Sequence, residues 1–315
     1  MMTFGFVFPG QGSQSVGMLG ALAPAGAAQT PIRDTFAEAS TVLGYDLWQL
    51  VAQGPAERLN STECTQPAML AASIATWRLW RSRGGPEPRV VSGHSLGEFS
   101  ALVAAGALEF AVAIDLVRFR GRLMQEAVPA GTGAMAAILG LDDTQVIEAC
   151  REAAQGGVVE AVNFNAPGQV VIAGAREPVE RAIEAAKRLG AKRAVALPVS
   201  VPSHSSLMSA AAQRLGERLA TVDFQRPRIR FVSAVDAAAH EDAADLRQLL
   251  VRQLSSPVRW SQTVRALAAG GVSALIECGP GKVLAALNRR IDRDLQSLAL
   301  EDAGSLDAAL SAVQA

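Results

Sequence analysis

The stretch RVVSGHSLGEFSALVAA, residues 89–105, carries the strongest structural signal in the chain. Its first five residues have the apolar character of a short buried strand, and EFSALVAAGAL, residues 98–108, favours a helix. Ser95 lies between them as the centre of a G-x-S-x-G pattern. In a strand–turn–helix setting this pattern predicts a nucleophile elbow, a sharp turn that leaves the serine Oγ exposed. The alternative is an ordinary turn in which the serine only caps the helix.

Strand-like runs alternate with helical stretches along the whole chain, which predicts an α/β fold with a mainly parallel sheet. Residues 131–199 differ, because they predict the β-α-β-β-α-β order of a ferredoxin-like unit. We therefore expect a small subdomain at 131–199 inserted into a larger catalytic domain made of residues 1–130 and 200–315. The segments behind this prediction are GAMAAILGL, DDTQVIEACREAAQ, VVEAVNFN, QVVIAG, EPVERAIEAAKRLG and KRAVALPV.

The composition argues against several classes of protein. The 315 residues are 50% hydrophobic with a net charge of −1, so no overall basic field indicates nucleic-acid binding. No uncharged apolar run reaches the ~18 residues of a membrane helix, and the first residues lack a signal-peptide pattern. Three widely spaced cysteines argue against a disulfide scaffold or a zinc site. We expect no membrane contact and a location in the reducing cytoplasm.

A glycine-rich turn follows the first predicted strand in FGFVFPGQGSQSVGM, residues 4–18. Such a turn often binds phosphate, and the dinucleotide fingerprint is G-x-G-x-x-G. The last position of that pattern is Ser15 here, and the acidic residue that should follow, Asp34, falls in a predicted helix. Nucleotide binding is therefore disfavoured, and the turn needs another explanation.

A serine nucleophile needs a base, and the chain has three histidines. His94 precedes Ser95, so its side chain should point away from the serine Oγ. His240 lies in a polar loop. His204, in PVSVPSHSSLM, follows a strand end, where the active sites of α/β proteins gather, and it comes after the serine as in hydrolase-like sites. His204 is therefore the expected base.

Long motifs, in order and spread over about residues 3–300, resemble the malonyl-CoA:acyl carrier protein transacylases of bacterial type II fatty acid synthesis. The resemblance implies an α/β-hydrolase-like core with a ferredoxin-like small subdomain. The segments that carry it are FVFPGQGSQSVGM, TQPAML, GHSLGEFSALVAAGALEF, RGRLMQEAVPAGTGAMAAILGL, NFNAPGQVVIAG, PVSVPSHSSLM, LVRQLSSPVRW and GPGKVL.

The resemblance also implies catalytic roles. Ser95 would attack the malonyl thioester and His204 would take its proton, in a ping-pong mechanism through an acyl-serine. A backbone carbonyl at Gln253, and no carboxylate, would orient the histidine, which suffices to fix the tautomer. The backbone N–H groups of Gln11 and Leu96 would form the oxyanion hole. The glycine-rich turn would then bind one developing negative oxygen instead of a pyrophosphate.

The same resemblance implies a substrate site in which Arg120 binds the free carboxylate of malonate, with Gln66 near the same pocket. A planar guanidinium suits a carboxylate because it forms paired charge-assisted hydrogen bonds. The expected partners are malonyl-CoA and holo acyl carrier protein. We expect a monomer with no metal and no cofactor besides the coenzyme A thioester that serves as substrate. The Asn, Pro and Gly residues of NFNAPGQ are expected to form a turn without chemistry.

Some points stay open at this stage. A stretch that carries adjacent asparagines in the family has Ser233 and Ala234 here, so any contact made there is in doubt. The rival functions are a serine thioesterase, a discrete malonyl transferase of a polyketide system, and the transacylase subunit of malonate decarboxylase. Arg120 argues against a plain esterase. The acidic carrier is expected to dock on a basic cluster, at Lys187–Arg193 or Arg289–Arg293.

Overall fold

The computed structural model describes residues 2–23, 30–129, 131–199 and 201–314. The boundary positions 130 and 200 of the expected subdomain lie outside the described residues. The strands are Phe4–Phe8 (β1), Val90–Gly93 (β2), Gly133–Leu139 (β3), Val159–Ala166 (β4), Gln169–Ala175 (β5), Arg193–Ala196 (β6), Arg230–Val232 (β7), Ala239–His240 (β8), Ala274–Glu277 (β9) and Gln296–Ala299 (β10).

Helices connect most of these strands, and a 3₁₀ turn covers Ser206–Met208. The α-helices are Pro31–Leu43 (α1), Leu47–Gln53 (α2), Ala56–Leu59 (α3), Thr62–Ser82 (α4), Gly97–Ala104 (α5), Phe110–Glu126 (α6), Asp143–Ala154 (α7), Arg176–Arg188 (α8), Ser209–Leu219 (α9), Ala243–Leu254 (α10), Trp260–Ala269 (α11), Val283–Ile291 (α12) and Ala303–Gln314 (α13). No helix among the described residues is long and apolar enough to cross a membrane.

The larger sheet has the strand order β10-β9-β1-β2-β7-β8 and is parallel except for β8. Every residue of β1 is buried, and alternate residues face different parts of the core. Phe4, Phe6 and Phe8 belong to the main cluster, whereas Val7 belongs to a second one. Both faces of the sheet are therefore covered, as a parallel sheet requires. The predicted α/β fold with a mainly parallel sheet is confirmed.

The smaller sheet has the antiparallel order β4-β5-β3-β6, and its chain follows the predicted sequence β3-α7-β4-β5-α8-β6. Helices α7 and α8 cover one face. Helix α7 begins at Asp142, whose side chain forms a reciprocal capping box with Gln145. The smaller sheet is tied to the segment between α10 and α11 through Val258, which exchanges backbone hydrogen bonds with Val162 and Phe164 at 2.8 and 2.9 Å.

The helix after the elbow is shorter than its sequence suggests. The apolar pattern predicts a helix as far as Leu108, but α5 ends at Ala104. Gly106 adopts a φ of 70°, a left-handed conformation that stops a helix and suits glycine. This turn sends the chain directly into α6, the helix that carries Arg120.

Candidate active site

The predicted elbow joins β2 to α5, and Ser95 has a φ of 52° there. Such a conformation is strained for a residue with a side chain and is often found at functional sites. The flanking glycines are forced by contact with neighbouring backbone. A Cβ on Gly93 would lie 2.0 Å from Gly97 C, and one on Gly97 would lie 2.0 Å from Phe8 O. The elbow therefore fits tightly against the end of β1, the adjacent parallel strand.

The serine hydroxyl meets the histidine that the sequence favours. Ser95 Oγ lies 2.8 Å from His204 Nε2, and His204 Nδ1 lies 2.8 Å from the backbone oxygen of Gln253. Since a carbonyl can only accept, Nδ1 carries the proton and Nε2 is free to accept from Ser95. The ring is 4% exposed, and burial together with the Arg120 charge lowers the pKa of His204 to about 3. His204 is therefore neutral at physiological pH, the form that a base requires.

The other two histidines lie in different surroundings. His240 lies in the short strand β8 instead of the expected polar loop, and its Nε2 contacts Asp236 Oδ1 at 3.1 Å. His94 is half-buried, and its Nε2 lies 2.8 Å from Asn165 Oδ1. The expectation that His94 points away from the serine agrees with this contact.

The interpretation of the NFNAPGQ asparagines as turn residues is wrong, because both lie in β4 and only Pro167 and Gly168 form the turn.

The two residues expected to supply the oxyanion-hole amides lie at the cleft beside Ser95. Gln11, in the glycine-rich turn after β1, and Leu96, at the start of α5, both line it. Neither amide donates to an acceptor within the described parts of the chain. A Cβ on Gly10 would lie 2.6 Å from His94 O, so the turn and the elbow touch through bare backbone. Glycine in this turn therefore permits the close approach of the two loops that an oxyanion hole formed by Gln11 and Leu96 would need.

Arg120 extends from α6 to the serine and is 1% exposed. Its Nη1 donates to Gln66 Oε1 at 2.9 Å, and its Nη2 to Gln253 Oε1 at 3.0 Å and to Ser95 Oγ at 3.3 Å. Its Nε is buried and has no partner in the described structure. None of the ion pairs found among the described residues includes Arg120. Burial lowers the pKa of Arg120 to about 10, with Glu98 opposing this effect, so the guanidinium remains charged.

Ser95, His204 and Arg120 line one cleft of about 490 Å³ between the two sheets. Gln66 lies in its wall, where its Nε2 contacts Met124 Sδ at 3.0 Å. The smaller sheet contributes Met135 from β3 and Asn163 from β4. The volume is that of a small-molecule site. Among the described residues, no cluster of three or more His, Cys, Asp or Glu side chains is arranged to bind a metal.

Sequence reasoning missed Glu98, a fully buried carboxylate on α5. Its Oε1 accepts from Ser233 Oγ and from the backbone N–H of Ala234, both at 2.6 Å, and its Oε2 accepts from Gln253 Nε2. The doubt about Ser233 and Ala234 is thereby answered, because hydroxyl and backbone supply the hydrogen bonds. The available signal was a carboxylate three residues after Ser95 in an otherwise apolar helix, where a charge is seldom buried without partners.

Comparisons with known proteins agree with this geometry. Residues 5–304 match the family described as the acyl transferase domain. The chain is 56% identical to the malonyl CoA-acyl carrier protein transacylase of Salmonella typhimurium, over 99% of this chain and 100% of that protein.

Two solved structures of similar proteins also superpose closely on this chain. An acyl carrier protein S-malonyltransferase from Vibrio cholerae superposes with a TM-score of 0.94 at 56% identity, covering 98% of this chain and 99% of that one. A malonyl-transacylase in complex with a type II polyketide acyl carrier protein superposes with a TM-score of 0.96 at 54% identity, with the same coverage.

Proposed function

The chain belongs to the acyl transferase domain family, and we propose that it moves a malonyl group from coenzyme A to the phosphopantetheine thiol of acyl carrier protein. One observation carries the proposal. Ser95 Oγ lies 2.8 Å from the base His204 and 3.3 Å from a buried guanidinium, that of Arg120, which has no carboxylate partner among the described residues. A nucleophile beside an unpaired buried cation suits an acyl group that carries its own carboxylate.

In the first half-reaction, Ser95 Oγ attacks the thioester carbonyl carbon while its proton passes to His204 Nε2. The carbonyl oxygen becomes an oxyanion and accepts hydrogen bonds from the N–H groups of Gln11 and Leu96. The tetrahedral intermediate then collapses, the carbon–sulfur bond breaks, and His204 returns the proton to the departing coenzyme A sulfur. The product is a malonyl ester on Ser95.

In the second half-reaction, the thiol of the carrier arm enters the same cleft. His204 Nε2 takes the thiol proton, and the sulfur attacks the ester carbonyl. The same two amides stabilise the oxyanion, the bond to Ser95 Oγ breaks, and His204 reprotonates the serine. The Nδ1–H bond to the Gln253 carbonyl keeps the imidazole in the required tautomer through both steps.

Arg120 distinguishes this function from that of a plain serine thioesterase. Its guanidinium is held from two sides by the amide oxygens of Gln66 and Gln253, so it is oriented before substrate binds. The malonyl carboxylate would complete its hydrogen bonds and neutralise its charge. A substrate without a carboxylate leaves the buried cation unpaired, which disfavours hydrolysis of ordinary acyl thioesters. Gln66 thus serves as a support for the carboxylate site.

No metal or resident cofactor is part of the proposed reaction, since coenzyme A arrives with the substrate, and the protein is expected to act as a monomer in the cytoplasm. A second candidate is transfer to a carrier of a polyketide system. It is favoured by the relative that was solved with a type II polyketide carrier. Both functions use the same acyl-serine chemistry and differ only in the carrier that docks.

We further propose that the large domain, residues 1–130 and 200–315, is α/β-hydrolase-like, and that residues 131–199 form a ferredoxin-like subdomain. The elbow at the end of a parallel strand supports the first assignment. The strand order β4-β5-β3-β6, with α7 and α8 on one face, supports the second.

One residue of each basic cluster, Arg290 and Lys192, borders the turn between β4 and β5 beside the smaller sheet. Arg290 Nη2 donates to Pro167 O at 3.3 Å in the β4–β5 turn, and Gly168 O accepts from Gly140 N at 2.9 Å. Lys192 borders the same spot, because a Cβ on Gly140 would lie 2.6 Å from Lys192 Cγ. Exposed cations from two domains thus border one turn, and we place the acidic carrier there.

Intact-mass spectrometry tests the function directly. The protein is mixed with malonyl-CoA and then with holo acyl carrier protein, with Ser95→Ala as the control. One malonyl group should appear on the wild type alone and then move to the carrier thiol. Loss of the adduct to water without transfer would indicate a thioesterase, and the absence of any adduct would refute the acyl-serine mechanism.

A further inference from the structure

We infer that Glu98 is a positioning residue for malonyl selectivity: it orients the side-chain amide of Gln253 so that the amide oxygen holds Arg120 in place. The inference rests on the proposed function and deepens it. Glu98 does not line the cleft, and it acts through two residues that lie between it and the substrate.

A continuous line of hydrogen bonds connects Glu98 to the guanidinium. Glu98 Oε2 accepts from Gln253 Nε2, which also donates to Ser95 O at 2.8 Å. The other end of the same amide, Gln253 Oε1, accepts from Arg120 Nη2 at 3.0 Å. Glu98, Gln253 and Arg120 are each 1% exposed or less, so water does not compete for these bonds.

The direction of this line is fixed at both ends. The backbone N–H of Ala234 at one end and the Arg120 guanidinium at the other can only donate. Glu98 must therefore accept from Ala234 on one side and from Gln253 on the other. A carboxylate accepts on both sides, whereas a glutamine at 98 has one donor and one acceptor. With glutamine there, the Gln253 amide either faces a second donor or turns its own NH₂ toward Arg120.

Burial raises the pKa of Glu98, but the hydrogen bonds that it accepts from Ser233, Gln253 and the Ala234 N–H oppose this effect and favour the negative charge. Glu98 lies near enough to favour the charged form of Arg120, yet the Gln253 amide stands between the two. The carboxylate thus supports the buried cation without forming an ion pair with it. A direct partner at Arg120 would compete with the malonyl carboxylate, whereas a partner one amide away leaves the guanidinium available.

The experiment compares single-turnover acylation of Ser95 by malonyl-CoA and by acetyl-CoA in wild type, Glu98→Gln, Arg120→Ala and the double variant. Acetyl has no carboxylate for Arg120 and therefore reports on the nucleophile and the fold. E98Q should lower the malonyl-to-acetyl rate ratio by about tenfold or more, the usual effect of disturbing a hydrogen bond to a charged group. In the R120A background, E98Q should change the ratio by less than about twofold, because both changes act through one group.

Glu277→Gln is the matched control, since Glu277 is an equally buried carboxylate that accepts from Ala285 N at 2.8 Å and does not line the cleft. It should leave the ratio unchanged. An unchanged ratio in E98Q, an equal loss of malonyl and acetyl acylation, or an additive effect with R120A would each overturn the inference. A wild type that forms no malonyl adduct would instead refute the proposed function, and the inference with it.

Discussion

Replacing Arg120 by alanine removes the cation that the proposed mechanism pairs with the malonyl carboxylate. That carboxylate would then enter a site where its expected partner is missing, beside amide oxygens of Gln66 and Gln253 that have lost their donor. Leaving one member of a buried charge pair without its partner costs about 3–5 kcal/mol. At about 1.4 kcal/mol for each factor of ten, malonyl acylation should fall by about 10²- to 4 × 10³-fold.

Rapid-quench measurement of the acyl-serine with malonyl-CoA and acetyl-CoA gives the decisive comparison. Acetyl acylation should fall much less, because the acetyl group makes no use of the guanidinium. Arg122→Ala is the matched control, since Arg122 is exposed on the same helix. Equal losses for both substrates in R120A, with R122A unaffected, would refute the assignment of Arg120 to the carboxylate and place it in the fold instead.

Gly10→Ala should reduce acylation by about 10²- to 10³-fold, as loss of an oxyanion donor does, because its Cβ would press on the elbow at His94 O. Gly12→Ala should act more weakly through its φ of 106° alone, since nothing lies within 4 Å of the added Cβ, and equal effects would contradict the contact argument. The His204 ring should stay neutral in NMR titrations between about pH 5 and pH 8, because burial and Arg120 lower its pKa to about 3. The free energy of unfolding should then fall as the pH drops below 6.5, where only the unfolded ring binds the proton, and a ring that titrates near 6.5 would contradict this site. Charge reversal at Lys192 and Arg290 should slow transfer to the carrier about tenfold at low salt and leave acylation by malonyl-CoA unchanged. An unchanged transfer rate, or an equal loss from reversing Lys187 and Arg188, which already pair with Glu184 and Glu152, would place the carrier elsewhere.

The local signals in the sequence led to the correct secondary structure because they depend on neighbouring residues. Apolar runs followed by glycine gave β1 and β2, and the alternation in residues 131–199 gave the order of the elements around the smaller sheet. The elbow was recognisable because its glycines and its serine occupy consecutive positions. The apolar pattern did not reveal the end of α5. Gly106 adopts a left-handed conformation, and the helix ends earlier than the pattern predicts.

The sequence alone could not show which residues that are far apart in the chain come into contact in the folded protein. Elimination favoured His204, but only the packed chain brings its Nε2 to 2.8 Å from a serine 109 positions away. Arg120 stood among other helix arginines and was singled out by resemblance, whereas the fold buries it beside Ser95 with one nitrogen unpartnered.

The sequence by itself determined the strand–turn–helix that exposes Ser95, the layered α/β organisation and the family, because these follow from contiguous motifs and periodicity. The tertiary structure alone decided which groups hold the site in place: the Gln253 carbonyl on His204, the amide of the same residue on Arg120, and Glu98 behind it. These contacts join residues up to 155 positions apart. A polar side chain does not reveal in the sequence whether it will be solvated or buried, and only packing sets the direction in which its hydrogen bonds run.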